Sequence, residues 1–275
     1  MARPAADSCR LLHNSTPSLP GLGLLGFCRS AGAVGGDFYD VLPASGQSVL
    51  LAVADVMGKG APAAQFATRL RTEIRMQAFQ TLCPGRLLGL LNRLLFDELS
   101  RADVFITVQL ALVDARQRRL TVASAGHCPL LLASGDSAVS AVSPDGMPLG
   151  ILPEQEFTEH VTTLGPSFRA ILYTDGLTEA RNAQGEFFGE QRLMNWLGQS
   201  VRRAASPEQL SREFLAEIHG FQSRAQPRDD QTFLLLAEQS SRPGLLPETA
   251  LLGRGRVDQR DSAQHWQYPA NGGRE

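Results

Sequence analysis

Five aspartates in this sequence stand where apolar segments begin or end, and glycines flank most of them. Asp37 follows two glycines, Asp55 closes an apolar run, Asp175 precedes a glycine, and Asp229 and Asp230 precede the last apolar run. Glycine lets the backbone turn sharply and approach a ligand closely. Because several strand ends can meet at one edge of a sheet, the sequence predicts that these carboxylates gather in one cleft.

Carboxylates gathered in one cleft raise one another's pKa unless a cation neutralises them. A ligand set made only of oxygen atoms suits Mg²⁺ or Mn²⁺ and argues against zinc or copper. Two such ions close together can bridge a water, lower its pKa and clamp phosphoryl oxygens. The pattern therefore predicts a metal-dependent hydrolase of phosphate esters.

Each aspartate alone has an ordinary structural explanation, because single Asp-Gly pairs commonly mark turns. The metal prediction therefore rests on the set Asp37, Asp55, Asp175 and Asp229, in this order along the chain. No single member of the set would carry it.

Three other features of the sequence, a glycine-rich segment, Lys59 and His127, have ordinary structural explanations. The segment 21–26 (GLGLLG) matches G-x-G-x-x-G, but it has no predicted strand before it and no predicted helix after it, so a dinucleotide site is not predicted. Lys59 could face a phosphate, although a solvated loop lysine is the commoner case. His127 is more often a hydrogen-bonded turn residue than a catalyst.

The strands that must position these aspartates are visible as apolar runs. Runs at 48–55, 168–174 and 232–237 predict buried strands, each beside one of the aspartates. Alternation of apolar and polar residues over 104–112, followed after a turn by 120–125, predicts a hairpin.

The helices are visible as apolar residues at helical spacing. Pro62 suits a first helical turn, and the apolar spacing continues to Ile74; further helices are predicted over 85–99, 193–200 and 208–219. Antiparallel strands with helices inserted in blocks favour the α+β class.

Composition narrows the functional classes. The chain has 275 residues, 43% hydrophobic and 20% charged, and a formal charge of −2, so it offers no basic surface for nucleic acid. No apolar run reaches the roughly 18 residues that span a bilayer, so we expect no membrane association and a cytoplasmic location. We predict a flexible lead-in over 1–20, a globular domain over 21–238 and a disordered tail over 239–275.

Six segments together resemble one known family, the bacterial stage II sporulation E branch of the PPM (PP2C-like) phosphatases, which regulates sigma factors. The resemblance covers about 19–237, so the globular domain over 21–238 resembles a PPM-type phosphatase domain. The segments are 33–42 (AVGGDFYDVL), 53–65 (VADVMGKGAPAAQ), 124–133 (SAGHCPLLLA), 149–152 (LGIL), 172–181 (LYTDGLTEAR) and 229–237 (DDQTFLLLA).

The resemblance implies a four-layer αββα sandwich of two antiparallel sheets flanked by helices, with two ions, Mn²⁺ or Mg²⁺, at one edge. It implies that Asp55 contacts both ions, and that Asp37 and the main-chain carbonyl of Val56 bind the second ion. Asp175 and Asp229 resemble ligands of the first ion. Asp40 and Asp230 are expected to be structural neighbours of these ligands.

The resemblance also implies the reaction and the partners. A metal-bridging water would hydrolyse phosphoserine or phosphothreonine on a regulatory protein such as an anti-sigma-factor antagonist, and a separate regulatory partner protein fits the same scheme. Two departures from the family pattern stand out. Arg29 is the only candidate for a phosphate-gripping arginine near the first strand, and Cys128 replaces an expected asparagine.

Two other functions stay open on the sequence. One is a catalytically silent module of the same fold that sequesters a regulatory partner, which a missing metal ligand would favour. The other is a metal hydrolase of a small phosphate ester, against which stands only the absence of a nucleotide-binding or sugar-binding signature.

Overall fold

The computed structural model describes residues 19–44, 46–135, 138–203, 205–223 and 227–239. Within these residues the chain forms ten strands and five helices. The strands are β1 (Leu22–Arg29), β2 (Phe38–Pro43), β3 (Ser48–Val56), β4 (Ile106–Asp114), β5 (Arg119–Ala125), β6 (Leu130–Ala133), β7 (Ser140–Val142), β8 (His160–Thr163), β9 (Arg169–Tyr173) and β10 (Gln231–Glu238). The helices are α1 (Ala61–Gln77), α2 (Pro84–Ala102), α3 (Asp175–Thr178), α4 (Glu190–Ser200) and α5 (Pro207–Gln222).

The strands form two five-stranded antiparallel sheets. The first sheet has the order β1-β10-β9-β6-β7 and the second the order β2-β3-β4-β5-β8. Alternate residues of β3, such as Val49, Leu51 and Val53, pack with Leu172 and Leu234 of the first sheet in a buried core between the sheets. Both faces of the central strands are therefore buried, which explains why 48–55 is apolar without alternation.

Helices cover the outer face of each sheet. Helices α1 and α2 bury Leu70, Ile74 and Leu91 against the outer face of β3, β4 and β5. Helices α4 and α5 bury Trp196 and Phe214 against the outer face of the first sheet. Their rings lie 4.5 Å apart between centroids. The layers follow the order helix, sheet, sheet, helix, which confirms the predicted αββα sandwich.

Most predicted elements are present, and their ends shift by a few residues. The strand predicted over 48–55 is β3, and the helix predicted over 85–99 is α2 (Pro84–Ala102). Strands β1, β2, β6, β7 and β8 were not predicted. The G-x-G-x-x-G segment lies mainly in β1, where a Cβ on Gly23 would collide with Pro207 and a Cβ on Gly26 with the Tyr39 ring, so these two glycines serve packing.

The predicted lead-in and tail fall largely on residues 1–18 and 240–275, outside the described residues, so these boundaries stay predictions. No helix in the described part of the chain is both long enough and apolar enough to cross a membrane.

Candidate active site

The antiparallel pairing of strands brings the four predicted metal ligands to one end of the sandwich. Asp37 directly precedes β2, and Asp55 is the penultimate residue of β3, whose end pairs with the start of β2. Asp175 follows β9 closely and Asp229 precedes β10, and the end of β9 pairs with the start of β10. Each sheet therefore contributes two of these carboxylates to the same end.

Asp37 is the most buried of the four carboxylates. Its residue is 5% exposed, and its Oδ2 accepts a hydrogen bond of 2.7 Å from the Thr174 hydroxyl. Burial raises the pKa of Asp37 well above its usual value, and the charge of Asp55 raises it further. A buried carboxylate in this position calls for a neutralising cation.

Asp55 and Asp175 lie in the same electrostatic environment. Burial raises the pKa of Asp55 to about 6, and the charge of Asp175 contributes to the rise. Burial also raises the pKa of Asp175, followed by the charges of Glu179 and Asp229. These mutual effects show that the four aspartates form one acidic cluster.

The two aspartates before β10 have different surroundings. Asp229 forms an ion pair of 3.0 Å with the Lys59 ammonium, and both side chains are about half exposed or more. Asp230 instead accepts backbone hydrogen bonds from Ala31 at 2.8 Å and Gly36 at 2.9 Å. The Asp230 carboxylate therefore holds the loop before Asp37 in place.

Two glycines allow the loops of the cluster to approach one another. A Cβ on Gly36 would lie 2.8 Å from the carbonyl oxygen of Val56, and a Cβ on Gly176 would collide with the carbonyl oxygen of Asp230. The missing side chains thus let the loop before Asp37 lie against the Val56 carbonyl and let the Asp175 loop contact the strand that follows Asp229.

The cluster opens into a cavity of about 230 Å³ lined by Asp55, Val56, Asp175 and Asp229, among others. Within the described residues, no three His, Cys, Asp or Glu side chains converge on one point as a metal cage would require. Magnesium commonly takes only one or two carboxylates and keeps several waters. An acidic cluster with a lysine partner and room for solvent fits that mode of binding.

His127 and Cys128 lie at the wall of this cavity. The Thr107 hydroxyl lies 2.8 Å from Nδ1 of His127, and Thr107 is the cross-strand neighbour of Asp55. Burial lowers the pKa of His127 to about 4, so the ring is neutral at physiological pH. Burial and the charges of Asp175 and Asp55 raise the pKa of Cys128 to about 12, so its thiol stays protonated.

The depressed pKa of His127 predicts a loss of stability in acid. The folded state binds this proton only near pH 4, while the unfolded state binds it near pH 6.5, so stability falls between these values as the pH drops. The total loss of unfolding free energy over this pH range is about 3 kcal/mol. In EDTA, His127→Gln should remove this loss, measured as the difference from wild type in urea unfolding along a pH series.

An exposed histidine supplies the control for this experiment. His160→Gln, in β8, is the matched variant, because it removes an imidazole from an exposed position. The acidic cluster titrates in the same range with the opposite sign, so variant and wild type are compared at each pH. An identical pH dependence in His127→Gln and wild type would contradict the assignment of a buried neutral ring.

Arg29 and Asp40 have side-chain partners outside the acidic cluster. One guanidinium nitrogen of Arg29 lies 3.4 Å from Nε2 of His219 in α5. Asp40 is buried and accepts two hydrogen bonds from Arg75, at 2.7 and 2.6 Å, which fasten β2 to α1. Arg29 therefore packs against a helix, and Asp40 has a structural role.

A protein-family model for stage II sporulation protein E (SpoIIE) matches residues 45–238, more than half of the chain. The chain belongs to the SpoIIE family of PP2C-like phosphatases. The predicted family resemblance is thereby confirmed, and PP2C-like phosphatases are metal-dependent enzymes.

Curated relatives of this SpoIIE-family chain include two bacterial proteins. Phosphoserine phosphatase RsbU of Bacillus subtilis is 28% identical over 176 residues, which cover 64% of this chain and 52% of RsbU. Protein IcfG of Synechocystis is 27% identical over 194 residues, which cover 61% of this chain and 30% of IcfG. The chain thus matches only part of the length of each relative.

Solved structures give the same fold. The SiaA-PP2C domain of Pseudomonas aeruginosa superposes with a TM-score of 0.68 at 27% identity, covering 78% of this chain and 85% of that domain. A structure with the PP2C phosphatase domain of SpoIIE from Bacillus subtilis also gives a TM-score of 0.68, at 17% identity and with 78% and 63% of the two chains covered. The second similarity shows the fold alone.

Sequence reasoning missed several polar residues around the cluster. Thr174 supports Asp37, and Thr107 joins Asp55 to His127 through cross-strand pairing. Thr174 stands directly before Asp175, so a search for hydroxyls next to the aspartates would have found it. Thr107 lies in a hairpin distant along the chain, and only the strand register reveals it.

Proposed function

We propose that this chain is a metal-dependent phosphatase that hydrolyses phosphoserine or phosphothreonine on a regulatory protein. The observation that carries the proposal is the gathering of Asp37, Asp55, Asp175 and Asp229 at one end of a SpoIIE-family sandwich. Among the described residues, the ion pair of Lys59 with Asp229 and the effect of the Lys59 charge on Asp175 leave much of the negative charge of these carboxylates uncompensated.

The positions of the aspartates support separate roles. Asp55 interacts electrostatically both with Asp175 and with Asp37, so it would contact two ions, Mn²⁺ or Mg²⁺. Asp175 and Asp229 would hold the first ion. Asp37 and the Val56 carbonyl, which lies against the Gly36 backbone, would hold the second.

When bound, such ions supply a water of lowered pKa and positive charge for the phosphoryl oxygens. The chain contributes the arrangement. The hydrogen bond from Thr174 and the buried surroundings of Asp37 orient the Asp37 carboxylate. The wall next to Asp55 is formed by Thr107 and the neutral His127 ring. The ion pair with Lys59 keeps Asp229 at the mouth of the cavity.

The relatives support a protein substrate. RsbU is named a phosphoserine phosphatase, and so is RsbP of Bacillus subtilis, which is 24% identical to this chain over 156 residues. We therefore expect a phosphorylated regulatory protein as the substrate and a regulatory partner protein for control. The same reasoning favours a cytoplasmic site of action, where such partners would be found.

Hydrolysis of phosphopeptides tests this function. With Mn²⁺ or Mg²⁺ the wild-type chain should release phosphate from phosphoserine and phosphothreonine peptides, and EDTA should stop the release. Phosphotyrosine peptides serve as the comparison for substrate class. Metal-dependent hydrolysis of small esters but of no phosphopeptide would point to a small-molecule phosphatase. A folded chain inactive on every substrate would point to the silent partner-binding module.

A further inference from the structure

A second cavity adjoins the acidic cluster and has a different charge. It has a volume of about 310 Å³ and shares Lys59 and Asp229 with the cavity of the cluster. We call it the cationic cavity, because Lys59, Arg181 and Arg228 line it. Its carboxylates are Glu179 and Asp229.

A cation bound by Asp229 would change the charge balance of the cationic cavity. Asp229 is one of the proposed ligands, and its charge is offset whenever a cation is bound there. Three cationic side chains then face the single carboxylate Glu179. A cavity with this balance attracts an anionic group, and it does so beside the site where the phosphoryl group would react.

The loop that carries Arg181 is held in one conformation by its own hydrogen bonds. The Asn182 side-chain oxygen accepts hydrogen bonds from the backbone of Gln184 at 3.0 Å and Glu186 at 2.9 Å. The backbone N–H of Asn182 donates to the carbonyl of Glu186 at 3.0 Å, and Arg181 and Phe187 form a β-bridge. This loop therefore presents Arg181 from a fixed backbone.

The guanidinium of Arg181 is itself positioned. Its central carbon lies 4.2 Å from the centroid of the Phe187 ring, a distance at which a cation–π contact is favourable. An arginine held against a ring loses less freedom when it binds a carboxylate than a lysine that moves freely. The floor of the cavity is polar, since the buried Gln231 donates to the Gly176 carbonyl at 3.3 Å.

We propose that the cationic cavity binds an acidic side chain of the phosphoprotein substrate, a few residues from the phosphorylated serine or threonine. The proposal rests on the phosphatase function proposed above and adds the sequence class of its substrate. A carboxylate of the substrate would pair with Arg181 and Arg228. The phosphoryl group of the same substrate would lie at the acidic cluster and the ions bound there. An extended peptide advances about 3.3–3.6 Å per residue, so an acidic residue within about four positions can span adjacent cavities.

Pairs of phosphoserine peptides test this proposal. Each pair differs only by Glu or Gln at one position within about four residues of the phosphoserine. For each enzyme the measured quantity is the ratio of kcat/KM for the Glu peptide to that for the Gln peptide, so differences in overall activity cancel. Wild type should prefer Glu by about five- to tenfold at one position at least, as expected for one or two partly exposed ion pairs.

Charge reversal in the cavity should change this ratio. In Arg181→Glu or Arg228→Glu the preference for the acidic peptide should fall to one or below. Arg116→Glu is the matched control, because Arg116 is an exposed arginine in the β4–β5 turn, outside the lining of the cavity. This control should retain the wild-type ratio.

The outcomes separate this proposal from the phosphatase function. A wild-type chain that hydrolyses the peptides without any preference for Glu would overturn the acidic-substrate proposal alone. A preference that survives in both Arg181→Glu and Arg228→Glu would overturn it as well. A wild type without metal-dependent hydrolysis of p-nitrophenyl phosphate or of any peptide would instead remove the phosphatase function on which the proposal rests.

Discussion

In EDTA at about pH 7.5, the Asp55→Asn variant should be more stable than wild type by about 2–3 kcal/mol. In Mn²⁺ the order should reverse. Wild type should gain about 2.7 kcal/mol at a metal concentration about 100 times the dissociation constant, whereas the variant should gain little. Urea unfolding of both chains under both conditions measures the two effects.

The sign of the EDTA result follows from the raised pKa of Asp55. Its folded-state pKa is about 6, and the pKa of an unfolded aspartate is near 3.8. The contribution of Asp55 to the stability of the metal-free chain is therefore most favourable below the lower value and is lost as the pH rises through the higher one. At about pH 7.5 the whole penalty is present, and asparagine removes the charge that causes it.

Asp145→Asn serves as the control, because it removes the same charge from an exposed loop. This variant should match wild type in EDTA and in Mn²⁺. Destabilisation of Asp55→Asn in EDTA, or an equal gain of stability from Mn²⁺ in wild type and variant, would contradict the view that Asp55 is held as a costly charge for a cation.

Gly176→Ala should disable the site through the backbone. A Cβ at this position would collide with the main-chain carbonyl of Asp230, so the loop after Asp175 and the strand after Asp229 must separate. Such overpacking costs about 1–3 kcal/mol of stability. A shift of about 1 Å in the two carboxylates should lower kcat by about 100-fold. Steady-state hydrolysis and urea unfolding measure both effects.

Gly220→Ala is the matched control for Gly176→Ala. Gly220 lies near the end of α5, and a Cβ there meets nothing within 4 Å. Alanine should therefore keep the activity and raise stability by about 0.5 kcal/mol through its higher helix propensity. Wild-type activity in Gly176→Ala would show that the close approach of the two loops is unnecessary for the reaction.

Much of this architecture could be predicted because the pattern of apolar residues and the local chemistry agree. The run 48–55 and the hairpin over 104–125 were correct because long apolar strands leave a strong signal. Asp37, Asp55, Asp175 and Asp229 were selected because each stands beside a strand end. Antiparallel pairing then determines that they share one end of the sandwich.

Other features depend on packing that no local pattern reveals. Strand β1 was missed because Gly23 and Gly26 weaken its strand signal, yet those glycines admit Pro207 and the Tyr39 ring. Gln109 is polar and completely buried, because its strand faces the interior between two sheets. The cationic cavity brings Arg181 next to Lys59, and these residues are more than 100 positions apart in the sequence.

The central claim is tested most directly by the hydrolysis of p-nitrophenyl phosphate. Wild type, Asp55→Asn and Asp175→Asn are compared with Mn²⁺, with Mg²⁺ and in EDTA. We predict that wild type is active only with metal, and that both variants lose activity by at least about 1,000-fold. Activity in EDTA, or variants as active as wild type, would contradict a metal-dependent phosphatase built on this acidic cluster.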